Sequence, residues 1–588
     1  MLRALWAPLA PLQPRRRGGW RQRLEREEED AAWAGPDRGI SRLFGNHLLS
    51  WCEGGMSAAR LQHLAACGVA DGFEHPMLAR MAQLRQDQNA QISLIELLGT
   101  TGVPRLISAF PGEFVSHGVL PSSWVSLLHT YPHEFRLRLG AEKTKLRGFW
   151  RDFLSRPANA DLRANHPIIG GMGIDELETV TPLTMHADAG PYSKTSACYV
   201  VSFGPLVGVG EAKLTKFICA SYVQRSGQMD DSLWWHHVLE DMTALGSGYV
   251  GGRAVARDSD GTLWRGALVF VKCDEDVRAN DFGLTHFSGR NEVCPDCLAN
   301  RTARPFTDMT EGAAWRRSEG MSFDVYKARA REPHHPLVAN AHFCHRFFFP
   351  IDIMHLLECK GVTPLVFGSS MVLLLADIRV GANKEERLEA INARRVLFYD
   401  ARPGSNRLPK IMLTNCTRDG WGNLAGPAYK AAKVRCAAPF FRDLVSHYCG
   451  SMHDRDQQLR TLTASLDDLY SVLYEAPMFP PAATVDRVRQ LCLAFGRAYQ
   501  RLRELSRRAG VFAFAVTPKV HKVQHIPLLT SCINPTRVQV YSEESMMGSV
   551  TGTWRGSKNG RYRQTVQRVV LIKQLSLIHI SEPTRLNP

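Results

Sequence analysis

Leu263-Trp-Arg-Gly-Ala-Leu-Val-Phe-Val-Lys272, running straight into Cys273-Asp274-Glu275-Asp276, is the stretch on which the fold turns. Its near-continuous apolar run predicts a central β-strand, covered on both faces, that ends on a group of carboxylates. Upstream, Thr181 to Ala187 is a short β-prone run leading into Asp188. Ser196-Ala-Cys-Tyr-Val-Val-Ser-Phe203 is a second, punctuated by Gly204-Pro205. Ala212 to Val223 reads as a third. Asp230-Asp-Ser232 then opens a helical segment, Leu233 to Leu245, with acids where a helix N-terminus favours them. A further helical segment follows Asp276.

Three strands, a helix, a strand and a helix is the element order of an RNase H-like α/β fold with a mixed sheet. In that order the acid on the first strand and the acid closing the fourth are neighbours, and Asp188 and Asp274 stand at those two places. The chemistry requires such closeness, because two divalent ions roughly 4 Å apart must share carboxylates and the scissile phosphate. A single strand-end Asp is ordinarily a solvated turn residue, so the weight lies in the joint placement.

Local sequence adds a resemblance. Asp274-Glu-Asp-Val-Arg-Ala-Asn-Asp-Phe-Gly-Leu-Thr-His286, followed by Cys294-Pro-Asp-Cys297, resembles the second-acid segment of tnp2-like (CACTA-type) DDE transposases. Phe349-Pro-Ile-Asp352-Ile-Met-His355 looks like their Asp-x-Met-His segment. Thr517-Pro-Lys-Val-His521-Lys-Val-Gln-His525 and Tyr541-Ser-Glu543-Glu544-Ser-Met-Met-Gly548 resemble the segments that close the core. The matches are short, but they keep their order from about 180 to 560.

The resemblance implies a DNA transposase that cleaves and joins strands with two Mg²⁺ ions. Asp188 and Asp274 would be the first two acids and Glu544 the third, with Glu543 its close alternative. The segment reads Ser-Glu-Glu-Ser where an Asp-Glu-Asp-like run is expected, and one residue of slippage on a helix turns a side chain by about 100°. The implied partners are double-stranded DNA, as transposon ends and target, and a second copy of the chain, in the nucleus or cytoplasm. The long interval between Asp274 and Glu544 is read as a large α-helical insertion before the last acid. Lys384–Phe398, Pro427–Tyr448, Gln457–Tyr474 and Val485–Ala509 all have helical periodicity.

Cys294 and Cys297 have half the spacing of a zinc site, and the same pair also suits structural thiols or chance. The two missing ligands are sought among His342, Cys344, His345, His355 and Cys359. Asp352 and His355 share a helix face and suit a Zn²⁺ or DNA contact, or a local hydrogen-bonded pair.

The composition fits these expectations without fixing them. A net charge of +15 favours a polyanionic partner, since neutralised phosphates release counterions. The 14 scattered cysteines suit a reducing compartment rather than a disulfide framework. Val362 to Ile378, broken by Pro364, Gly368, Ser369 and Ser370, reads as a buried helix rather than a membrane span.

Residues 1–60 read as a disordered basic N-terminal segment, or as upstream sequence translated by mistake; Pro8, Pro11 and Pro14 argue against a mitochondrial leader. Residues 61–170 read as helical, 171–300 as the first part of the core, 301–515 as the helical insertion and 516–575 as the end of the catalytic core. Residues 576–588 resemble adapter read-through. Three rival expectations stand beside the transposase: a catalytically inactive DNA-binding derivative, a nuclease on the same fold that cleaves DNA without joining ends, and a zinc-stabilised interaction module.

Overall fold

The computed structural model describes residues 107–109, 115, 117–193, 196–210, 212–223, 232–285, 291–339, 346–377, 379, 381–403, 406–418 and 420–556. It also describes scattered positions within 61–69 and 566–575. The chain divides into two compact units, Met1–Arg105 with Ile572–Pro588, and Leu106–Leu571. In the first, the described residues include helical positions with Leu61 and Ala65 buried. The expectations for 1–60 and 576–588 lie outside the described residues. Everything below concerns Leu106–Leu571, which also contains the boundaries expected at 170, 300 and 515.

Among the helices before the sheet are α1 (Pro121–His129), α2 (Pro132–Leu139) and α3 (Lys143–Leu154). Proline opens α1 and α2, where its fixed φ suits a first turn that needs no N–H. Leu146, Phe149, Trp150, Phe153 and Leu154 form one apolar stripe on α3. The Trp150 indole donates to the Val180 carbonyl at 2.7 Å, fastening this helix to the start of the first core strand.

The core is a five-stranded mixed sheet. Its strands are β1 (Val180–Pro191), β2 (Ala197–Pro205), β3 (Phe217–Val223), β4 (Ala256–Arg257) and β5 (Leu263–Lys272). Their spatial order is β3-β2-β1-β5-β4, antiparallel except for the β1–β5 pair at the centre. The third strand is shorter than the sequence suggested: Ala212–Thr215 forms a helical turn, and only Phe217–Val223 enters the sheet. All of Phe217–Val223 is buried and none of it is charged, whereas Lys216 must send its ammonium elsewhere. Gly204 of β2 makes room for that turn, since a Cβ there would lie 2.4 Å from the Thr215 carbonyl oxygen.

Helix α4 (Ser232–Ser247) packs on β5, and α5 (Glu275–Asn280) follows β5 directly. The interval before the last acid is helical as expected. It holds a π-turn (Met354–Glu358), α6 (Val362–Ala376), α7 (Lys384–Asp400), α8 (Ala438–Tyr448), α9 (Asp454–Glu475) and α10 (Ala482–Arg508). The run Met354–Ala376 is long and apolar enough to cross a membrane by length and composition, and most of it is buried inside the fold. Phe367 of α6 stacks on Phe441 of α8 with ring centroids 3.8 Å apart. The chain then returns to the sheet through α11 (Pro518–Lys522) and α12 (Tyr541–Gly556). Helix α12 lies so close on β1 that a Cβ at Gly190 would meet Thr551 Cγ2 at 2.7 Å and Met547 Cε at 2.9 Å.

Candidate metal centres

Two clusters stand out, one of carboxylates and one of thiols and imidazoles. The carboxylate cluster is set by strand register. His186 of β1 pairs with Lys272 of β5 in the parallel ladder, so Asp188, still within β1, and Asp274, just past the end of β5, each stand two residues beyond that pair on neighbouring strands. Asp188 accepts from the Ala189 N–H at 2.7 Å. Asp274 caps α5, its Oδ1 accepting from the Val277 N–H at 2.8 Å. Glu544, in the first turn of α12, reaches the same region.

Asp188 feels the charge of both other acids. Burial, then the charges of Asp274 and Glu544, hold the Asp188 carboxyl well above its ordinary range, with His355 opposing. Burial raises Asp274 as well, against its hydrogen bond from Val277 and the attraction of His355. His355 Nε2 lies 3.5 Å from Glu544 Oε1, and its Nδ1 lies 2.6 Å from Asp352 Oδ2. Burial opposes a charge on His355, but the Asp352 hydrogen bond outweighs it and the imidazole is pushed up to about 11.

Asp352 is the orienting partner in this group. Its Oδ1 accepts from the N–H groups of Met354 and Val540, and its Oδ2 from the N–H and ring of His355. That carboxylate is fully engaged in holding the π-turn and the approach to α12. Of the readings open for Asp352 and His355, the structure has the local hydrogen-bonded pair; as possible Zn²⁺ ligands beside the thiols they are corrected, since Cys294 and Cys297 meet two other residues. They belong to the carboxylate cluster, with Asp352 holding His355 against Glu544.

Glu543 is also corrected. Its side chain is 1% exposed and forms ion pairs with Lys272 and with Lys216, the latter at 3.2 Å. Burial penalises its charge, but Lys216 and Lys272 outweigh that and hold it well below the usual carboxylate range. The turn of about 100° between successive helical residues sends Glu543 into the core and Glu544 to the acids.

Cys294 and Cys297 meet His521, at the end of α11, and His525, in the turn after it. One ligand atom from each of the four lies within 4.8 Å of the others. Cys294 Sγ is 3.5 Å from His525 Nε2, Cys297 Sγ is 3.3 Å from His521 Nε2, and the two imidazole nitrogens are 3.1 Å apart. All four residues are buried. Burial opposes ionisation of Cys294, but its bond to Cys297 and the charge on His525 outweigh it, so the thiol is held well below its usual range. Glu319 lies 3.4 Å from His525 Nδ1, and Arg329 donates to the carbonyls of both Cys294 and Cys297 at 3.0 Å. Two sulfurs and two ring nitrogens at this spacing, all buried, suit a tetrahedral soft-donor metal site.

The two histidines missing from the sequence reading had a signal: His521-x-x-x-His525 places two imidazoles on one helical face. His342, Cys344 and His345, proposed there as partners, lie outside the described residues. Cys359 and His355 are described, and neither belongs to the tetrad.

Comparison of the chain with protein-family models and with curated proteins finds no match.

Proposed function

We propose that the chain is the catalytic core of a DNA transposase, RNase H-like in fold, which cleaves DNA and transfers strands through a two-cation carboxylate centre. One observation carries the reading. A sheet ordered β3-β2-β1-β5-β4, with β1 and β5 parallel, sets Asp188 beside Asp274 while α12 delivers Glu544. The edge place is taken by a short strand, β4, that precedes β5 in the chain.

The donor chemistry fits the ions. Three oxygen-donor acids, two of them with carboxyl groups raised by burial and like charge, form a site that favours hard divalent cations such as Mg²⁺. When bound, such ions supply charge stabilisation to the attacking and leaving oxygens of a phosphoryl transfer. The protein's part is geometric. The β1–β5 ladder fixes the spacing of Asp188 and Asp274, the cap on α5 orients Asp274, and Asp352 holds His355 against Glu544. Basic side chains on a chain of net charge +15 would hold the DNA backbone, largely through phosphate. The buried Cys294–Cys297–His521–His525 group suits Zn²⁺ in a structural role, closed to further ligands.

The test is Mg²⁺-dependent nicking and strand transfer on labelled duplex DNA, comparing the intact chain with Asp188→Asn and Asp274→Asn. Both substitutions are expected to abolish chemistry and leave DNA binding in place. An intact protein that binds DNA without metal-dependent cleavage would mark an inactive DNA-binding derivative and sink the enzymatic reading.

A further inference from the structure

The stretch from Thr517 to His525 touches both centres at once. His521 and His525, four residues apart, face the thiols. Lys519 and Lys522, three apart, face the other way. Lys519 Nζ donates to the carbonyls of His355 at 3.0 Å and Lys360 at 3.3 Å, holding the turn that presents His355 to Glu544. The buried Lys522 ammonium pairs with Glu275, the residue immediately after Asp274. The thiol loop makes a second tie to the same short helix. Arg278 of α5, its side chain 2% exposed, bonds Asp296, which sits between Cys294 and Cys297, at 3.1 Å. Helix α5, whose cap is Asp274, is thus held near its start by the histidine segment and one turn later by the cysteine loop.

We propose that the thiol–imidazole tetrad is the rigid mount of the carboxylate centre, and that Lys522 and Asp296 are positioning residues that transmit its order to Asp274. The proposal rests on the reading of Asp188, Asp274 and Glu544 as cation ligands. Its physical basis is that ligands held by neighbouring hydrogen-bonded partners lose affinity when those partners go, by roughly 10–100-fold. The histidine segment and the thiol loop are both clamped by whatever metal the tetrad holds. Such a clamp would fix the five-residue α11, so that the bonds of its lysines to Glu275 and to the His355 and Lys360 carbonyls keep one geometry.

The experiment uses the full chain without DNA and Mn²⁺ as probe, with binding followed by electron paramagnetic resonance and tetrad metal by elemental analysis. Lys522→Met is expected to keep its tetrad metal and to weaken Mn²⁺ binding by about tenfold. Lys522→Arg should recover most of the loss. Stripping the tetrad metal from the intact protein should weaken Mn²⁺ binding in the same direction. If Lys522→Met does not hold the tetrad metal, Asp296→Asn, which keeps side-chain size, carries the comparison. Intact-like Mn²⁺ affinity in a metal-loaded Lys522→Met or Asp296→Asn overturns the mount. A different result identifies failure of the underlying reading: the intact protein then takes up no more Mn²⁺ than Asp188→Asn, and both proposals fall.

Discussion

Glu543 and Glu544 are adjacent in sequence and opposite in role. Glu543 forms ion pairs with two lysines, buried Lys272 and the largely buried Lys216, and breaking a buried ion pair from one side costs about 3–5 kcal/mol. Glu543→Gln is therefore expected to lower unfolding stability by that order in a denaturant titration, whereas Glu544→Gln should leave it nearly unchanged and abolish cleavage. Equal stability loss in both would contradict the assignment. Asp188 makes the pH prediction. Its carboxyl is raised in the folded state, so between its unfolded and folded values the native protein binds the extra proton. In chelator, stability is then expected to fall as pH rises through that window, and Asp188→Asn should melt higher than the intact chain at neutral pH. Added Mg²⁺ should reverse the order, raising the intact protein alone. A flat melting profile across pH 4 to 8 in chelator, identical for both proteins, would remove the carboxylate repulsion from the account.

At the level of elements, the strand Leu263–Lys272 was legible in full because its apolar run and its acidic end coincide with the element itself. The first strand was read too short: β1 continues past Asp188 to Pro191, carried by antiparallel pairing with β2 that no local pattern announces. Asp188 and Asp274 could be placed from strand order, but their side-by-side register depends on the long-range β1–β5 ladder. The tetrad was half legible. A pair spaced Cys-x-x-Cys announces itself, while its histidine partners lie more than two hundred residues away and were read only as part of a motif. Inside the insertion, Gly368 of α6 permits a close crossing, since a Cβ there would lie 2.1 Å from the Asn423 backbone nitrogen. Backbone cannot step aside as a side-chain tip can, so Gly368→Ala should cost about 1–3 kcal/mol or more by overpacking. Thermal melting of that variant, beside Gly171→Ala with open space around its Cβ, gives the comparison.

For the whole molecule, contacts of long sequence separation close the detour between Asp274 and Glu544. The tetrad spans a sequence separation of 231 residues between Cys294 and His525. Cys294→Ser should lower the melting temperature and abolish bound tetrad metal together, because a closed site of this kind contributes folding free energy directly. A protein that loses the metal yet melts as before would show the site to be dispensable for the fold. Both margins of the sheet are closed in their own way. On β3 the Val119 N–H donates to the Cys219 carbonyl at 2.8 Å and the Trp124 indole to the Ile218 carbonyl at 3.0 Å. On β5 the two-residue β4 covers one end, and the Phe348 carbonyl accepts the Val271 N–H at 2.7 Å near the other. Unpaired strand margins are templates for runaway stacking of one chain on the next. With these caps in place the finished protein offers little purchase for such growth. A chain emerging in order acquires the Val119 and Trp124 guards before the strand they protect, whereas Phe348 arrives well after β5, so the hazard during synthesis falls on that one margin.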